Sequence, residues 1–131
     1  MACFLVSAAE AAVVTVIEKS AQKKEFELEK AGKPAEEHVI PWSRKLKWLK
    51  YLLLGGAVIL MFEHVWHGEV VPWFPFLTAM YDPADTAEML QEMATVGVCM
   101  ALLITSVWFV MCRAADAIMA RPAKETDTKT A

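Results

Sequence analysis

Residues 51–73 read YLLLGGAVILMFEHVWHGEVVPW. No side chain from Tyr51 to Phe62 is charged, and the run then ends in Glu63, His64, Trp66, His67 and Glu69. Ahead of it stand Arg44, Lys45, Lys47 and Lys50, interleaved with Trp42, Trp48 and Tyr51. An apolar run entered through basic and aromatic residues is the pattern of a helix crossing a bilayer. Lysine stems snorkel toward water there, and indole and phenol rings settle at headgroup depth. This stretch decides the class: an all-α integral membrane protein. Gly55 and Gly56 inside it serve local packing or the close approach of a neighbouring helix.

The rest of the chain repeats the theme. Hydrophobic residues make up 56% of the 131, against roughly 45–50% in soluble domains. They gather in three blocks, Ala2–Ile17, Leu46–Val65 and Met89–Cys112, as expected of a single membrane domain over 1–131 with three transmembrane helices.

Helix 1 is expected over about 2–31. Its first block is preceded by no Lys or Arg, unlike a secretory signal. After Ile17 the sequence keeps helix formers until Gly32 and Pro34, a helix stop. The first half is read as a span, with the second half extending into the cytoplasm; the alternative is an amphipathic helix lying on the surface. A linker covers 32–43, with helix 2 over about 44–67. The outer loop, 68–82, carries Pro72, Trp73, Phe74, Pro75 and Phe76, an aromatic segment suited to the interfacial zone. Asp82 and Pro83 form a helix-start signal, with Asp as N-cap and Pro in the first turn. Helix 3 then runs over about 83–120, and a polar tail, 121–131, is expected to be disordered.

The cations set the expected topology. All 13 Lys and Arg residues lie in Lys19–Lys50 or after Cys112, while the His64–Glu88 segment has none and carries Glu69, Asp82, Asp85 and Glu88. By the positive-inside rule, the basic loop (18–50) and the C-terminus are cytoplasmic and the N-terminus is outside. The localisation is a multi-pass protein of the cell membrane.

Few groups could carry chemistry. Glu63 and His67 share a helix face, with His64 beside them, and imidazole with carboxylate at this spacing can ligate a divalent transition metal. Glu88 and Glu92, at the matching end of helix 3, are the expected further ligands. The competing reading is hydrogen-bonded interfacial histidines and acids that stabilise a helix N-terminus. Haem is less favoured. His64 and His67 cannot bind its two opposite faces, so a second chain or Met80, Met89 or Met93 would have to complete the site. Glu10, within the first block, is an intramembrane carboxylate suited to a proton relay or ion path, or to an assembly contact with Thr95 or Ser106. Glu88, Gln91, Glu92, Thr95, Cys99 and Ser106 form a polar stripe expected to face other helices.

Other classes are excluded or unsupported. Interleaved acids and bases in Lys19–Glu37 give no phosphate-binding stripe, so no nucleic-acid partner is expected. The three cysteines, Cys3, Cys99 and Cys112, sit in apolar blocks without C-x-x-C spacing. There is no nucleophile elbow, phosphate loop or dinucleotide fingerprint, and no enzymatic role is expected. The partners expected are the lipid bilayer and either further copies of the chain or another membrane subunit. The leading function is a homo-oligomeric or accessory membrane subunit. The alternative is a metal-binding or ion- or proton-translocating protein with an outer-face His/Glu site.

Overall fold

The computed structural model describes residues 2–33 and 39–121. The middle of the expected linker and nearly all of the expected disordered tail lie outside them. The described chain is helical, with α1 over Phe4–Lys30, α2 over Trp42–Trp66, a 3-10 turn over Thr78–Tyr81, α3 over Pro83–Glu92, a π turn over Met93–Gly97 and α4 over Val98–Met119. The described residues contain no strand beyond one antiparallel bridge, Val70 to Leu77.

Two helical stretches, Trp42–Trp66 and the continuous Pro83–Met119, are long and apolar enough to cross a membrane. Against the three expected, α1 falls short on its own. Its apolar part, Ala2–Ile17, rises about 24 Å where a hydrocarbon core measures about 30 Å, and Glu18 and Lys19 follow at once.

Local chemistry explains the helix ends. Asp82 caps α3, its Oδ1 accepting from the Ala84 amide at 2.7 Å, with Pro83 at the first helical position. At the end of α2, Gly68 takes a left-handed φ of 73°. That lets the Glu69 amide reach back to the His64 carbonyl at 2.9 Å, closing a Schellman motif. Glu25 caps the start of α2 from α1. Its two oxygens accept from the Ser43 amide at 3.0 Å and the Ser43 hydroxyl at 2.6 Å.

α1 packs antiparallel along α2 with a two-turn repeat. Seven residues along α2, from Ser43 to Lys50, move the partner seven residues back along α1, from Glu25 to Glu18; fourteen more bring His64 to Phe4. The buried residues of α1, Ser7, Ala11, Val14 and Glu18, follow the four-three spacing of a helix seam. Small side chains at Ser7 and Ala11 let the α2 backbone come close. The main core joins Ala11 and Val14 to Leu46, Leu49, Leu53, Trp108 and Cys112.

α4 lies parallel to α1, with Glu10 bonded to Thr105 and Val6 packed against Gly97. A β-carbon on Gly97 would lie 2.8 Å from Val6 Cγ2, so only glycine permits this approach. The inward residues Met89, Met93, Gly97 and Ala101 recur every four positions. An ordinary helix turns about 100° per residue, so four residues overshoot a turn by about 40°. The wider π turn at Met93–Gly97 absorbs that drift and keeps the face on α1.

The exterior of α2 beyond Lys50 and of α4 up to Cys112 is largely apolar. Ile59, Phe62, Leu102, Leu103, Phe109 and Val110 are each more than half exposed. A belt of this kind is stable only when lipid or another apolar surface covers it.

Candidate functional site

At the acidic end of the helices the structure separates the expected metal ligands. His64 is buried, its ring edge-on to Phe4 with centroids 5.6 Å apart. Glu63 and His67 are exposed, because the one helix face that meets α1 at this level is taken by His64. Glu88 is exposed and Glu92 half-buried, the inward face of α3 being taken by Met89 and Met93. Among the described residues, no three His, Cys, Asp or Glu side chains are placed to hold one metal ion. The constellation Glu63, His64, His67, Glu88 and Glu92 is therefore not assembled within this chain. The methionines considered as haem ligands divide likewise. Met89 and Met93 pack in the small core with Ala2 and Ala79, and Met80 is exposed.

Among the described residues, two buried side-chain polar atoms lack a partner, His64 Nε2 and Ser7 Oγ. Nearby, the 68–82 loop is pinned by its own backbone. The Val71 amide bonds to the Phe76 carbonyl at 2.8 Å, and the Thr78 amide to the Glu69 carbonyl at 3.0 Å. The loop holds Trp73, Phe74 and Phe76 outward, all well exposed, as is Trp66 at the end of α2. The expected aromatic segment is thus a formed surface.

Glu10 is engaged. Its Oε1 accepts a hydrogen bond from Thr105 Oγ1 at 2.6 Å. The sequence pointed to Thr95 or Ser106, but both hydroxyls turn back on their own helix, Thr95 to the Gln91 carbonyl and Ser106 to the Leu102 carbonyl, each at 2.8 Å. The expected polar stripe lies on the outside of this chain: Glu88, Gln91, Thr95, Cys99 and Ser106 are exposed and do not face its other helices. Thr105→Val should lower helix-bundle stability by about 1 kcal/mol, the scale of an interhelical hydrogen bond in a membrane. Glu10→Gln, which keeps an acceptor, should leave it nearly unchanged. Denaturant titration in micelles measures both.

The densest polar assembly is at the basic end. Lys50 Nζ meets Glu18 Oε2 at 2.5 Å, with Glu18 only 4% exposed, and Gln22 donates to the other Glu18 oxygen at 3.2 Å. Lys45 Nζ meets Asp116 Oδ2 at 2.7 Å, and the Trp108 indole donates to the Lys45 carbonyl at 2.7 Å. Trp42 stacks at a tilt against Trp108, 6.0 Å away. All of these ties but Gln22–Glu18, which lies within α1, join two helices. The second half of α1, expected as a projecting charged arm, is fastened to α2 through Glu18 and Glu25. Sequence reading missed these pairings. The signal present was Glu18 and Glu25 continuing the Ser7, Ala11 and Val14 seam into polar sequence.

Compared with known protein families, curated proteins and solved structures, the chain matches none.

Proposed function

We propose that the chain is a three-span integral membrane protein that works as a homo-oligomer or as an accessory subunit of a larger membrane complex. The observation that carries this is the polar stripe on the outside of α3 and α4, surrounded by apolar exterior. Exposed Gln91 and Cys99 flanked by Leu90, Val96, Val98, Leu102 and Leu103 gain most when a second protein surface covers them. Gly55 supports the same reading, for it lies on the membrane-spanning α2 with open space around it, a place where a partner helix can come close.

Three spans are supported by the pairing of α1 with α2. If α2 crosses the bilayer, the apolar half of α1 lies at the same depth, presenting Leu5, Val13, Val16 and Ile17 outward. Its first exposed charge is Lys19, one residue past Glu18, which faces Lys50 where the apolar run of α2 begins. The orientation proposed puts the basic end in the cytoplasm.

Alanine or leucine replacements at Gln91, Thr95, Cys99 and Ser106 should change the size of the detergent-solubilised particle, or the set of proteins that co-purify with it. Unchanged size and partners across the set would remove the support for assembly through this face.

The second reading, ion or proton translocation, keeps one specific support: Glu10, a carboxylate in an apolar segment bonded across to Thr105. Glu10→Gln should abolish proton flux into liposomes while leaving insertion intact. Equal flux in the two proteins would end this reading.

A further inference from the structure

Two open grooves of the exterior belong to one seam between α2 and α4. The larger, about 410 Å³, is lined by Trp48, Tyr51, Leu52, Met111 and Ala115. The smaller, about 250 Å³, continues from Leu52 past Gly56 to Leu103 and Val107. Leu52 borders both, so the seam runs without a break from the basic end toward the middle of the helices. Its α4 wall, Leu103 to Ala115, rises about 18 Å, close to half of a hydrocarbon core of about 30 Å. That is the depth of one leaflet.

The mouth of the seam is charged. Arg44 and Lys47 are exposed and stand one helical turn before Trp48 and Tyr51 respectively, on the same face. Their neighbours Lys45 and Lys50 are held by Asp116 and Glu18. Arg44 and Lys47 make no ion pair among the described residues, which leaves their charges open to a ligand. Aromatic rings and unpaired cations above an apolar slot one leaflet deep are complementary to a single kind of occupant.

We propose that this seam is a binding site for an anionic phospholipid, one acyl chain lying between α2 and α4 and the phosphate held by Arg44 and Lys47. The proposal rests on the membrane reading above and adds a ligand to it. Gly56 makes room for the chain: a β-carbon there would meet Ile104 Cδ1 at 3.2 Å and narrow the inner groove.

The test uses the full chain in phosphatidylcholine bilayers, probed by electron spin resonance with spin-labelled phosphatidylglycerol or phosphatidylcholine. The wild type should immobilise phosphatidylglycerol several-fold more strongly than phosphatidylcholine. Arg44→Gln with Lys47→Gln should remove that preference, and the control Lys23→Gln with Lys24→Gln, altering exposed α1 cations, should keep it. Leu52→Trp, which fills the seam, should reduce immobilisation of the anionic lipid. Equal immobilisation of both lipids by the wild type, or a preference that survives the Arg44/Lys47 change, would overturn the proposal. So would a seam closed by a second copy, seen as immobilised phosphatidylglycerol that appears only when the oligomer is dissociated. Absence of any immobilised lipid would instead count against the membrane reading itself.

Discussion

Glu18→Ala is expected to lower the stability of the folded chain by about 3–5 kcal/mol, the usual cost of removing one partner from a buried ion pair. Glu18 is nearly inaccessible and meets both Lys50 and Gln22. Truncating it leaves the largely covered Lys50 ammonium without its carboxylate, and an unpaired buried charge is the costly part. Lys50→Ala should be at least as damaging, since it strands the Glu18 carboxylate, the more deeply buried of the two charges, with Gln22 as its remaining side-chain partner. The double change Glu18→Leu with Lys50→Met removes both charges and keeps volume. It should be milder than Glu18→Ala alone. Unfolding in mixed micelles, followed by circular dichroism, gives all three values. A Glu18→Ala loss below about 1 kcal/mol, the scale of a solvated pair, would show that water reaches the pair freely.

Gly97→Val should separate the N-terminal turns of α1 from the π turn. The first added carbon already conflicts with Val6 and lies 3.5 Å from the Cys3 Cα. Overpacking of this kind costs about 1–3 kcal/mol, and the larger figure applies where backbone must move. The specific readout is Cys3, now buried. In a Cys99→Ser background, Gly97→Val should make Cys3 reactive to a thiol reagent while Cys112 stays protected. Val6→Ala, which removes the colliding methyl, should restore protection in part. Protection of Cys3 unchanged by Gly97→Val would mean that α1 does not rest on this turn.

Much of the architecture is legible in residues 51–73 and their surroundings, because long apolar helices are written in composition. A charged residue inside an apolar run is costly, so the runs and their edges are explicit. Asp82-Pro83 and Gly68 likewise announce ends through their own backbone chemistry, and the structure places a cap and a Schellman turn there. Pairing between helices is less legible. Thr105 and Ser106 are adjacent hydroxyls in one apolar run, and only the rotation of α4 decides which one meets Glu10. That rotation depends on the π turn, which widens the helix before α4 begins and which no single residue signals. The outer-end histidines mislead for a similar reason. Spacing shows that Glu63 and His67 can share a face, but which face α1 covers follows from packing, and packing turned His64 inward alone.

The central claim is that α1, though short in its apolar part, crosses the bilayer beside α2. The direct test places an N-terminal tag on the chain and single cysteines at Lys33→Cys or Trp66→Cys in a cysteine-free background. Each is probed in intact and in opened cells with a membrane-impermeant label. The account predicts that the tag and position 66 are reached from one side of the membrane and position 33 only from the other. A tag that shares its side with position 33 would show that α1 lies along the surface, leaving two spans.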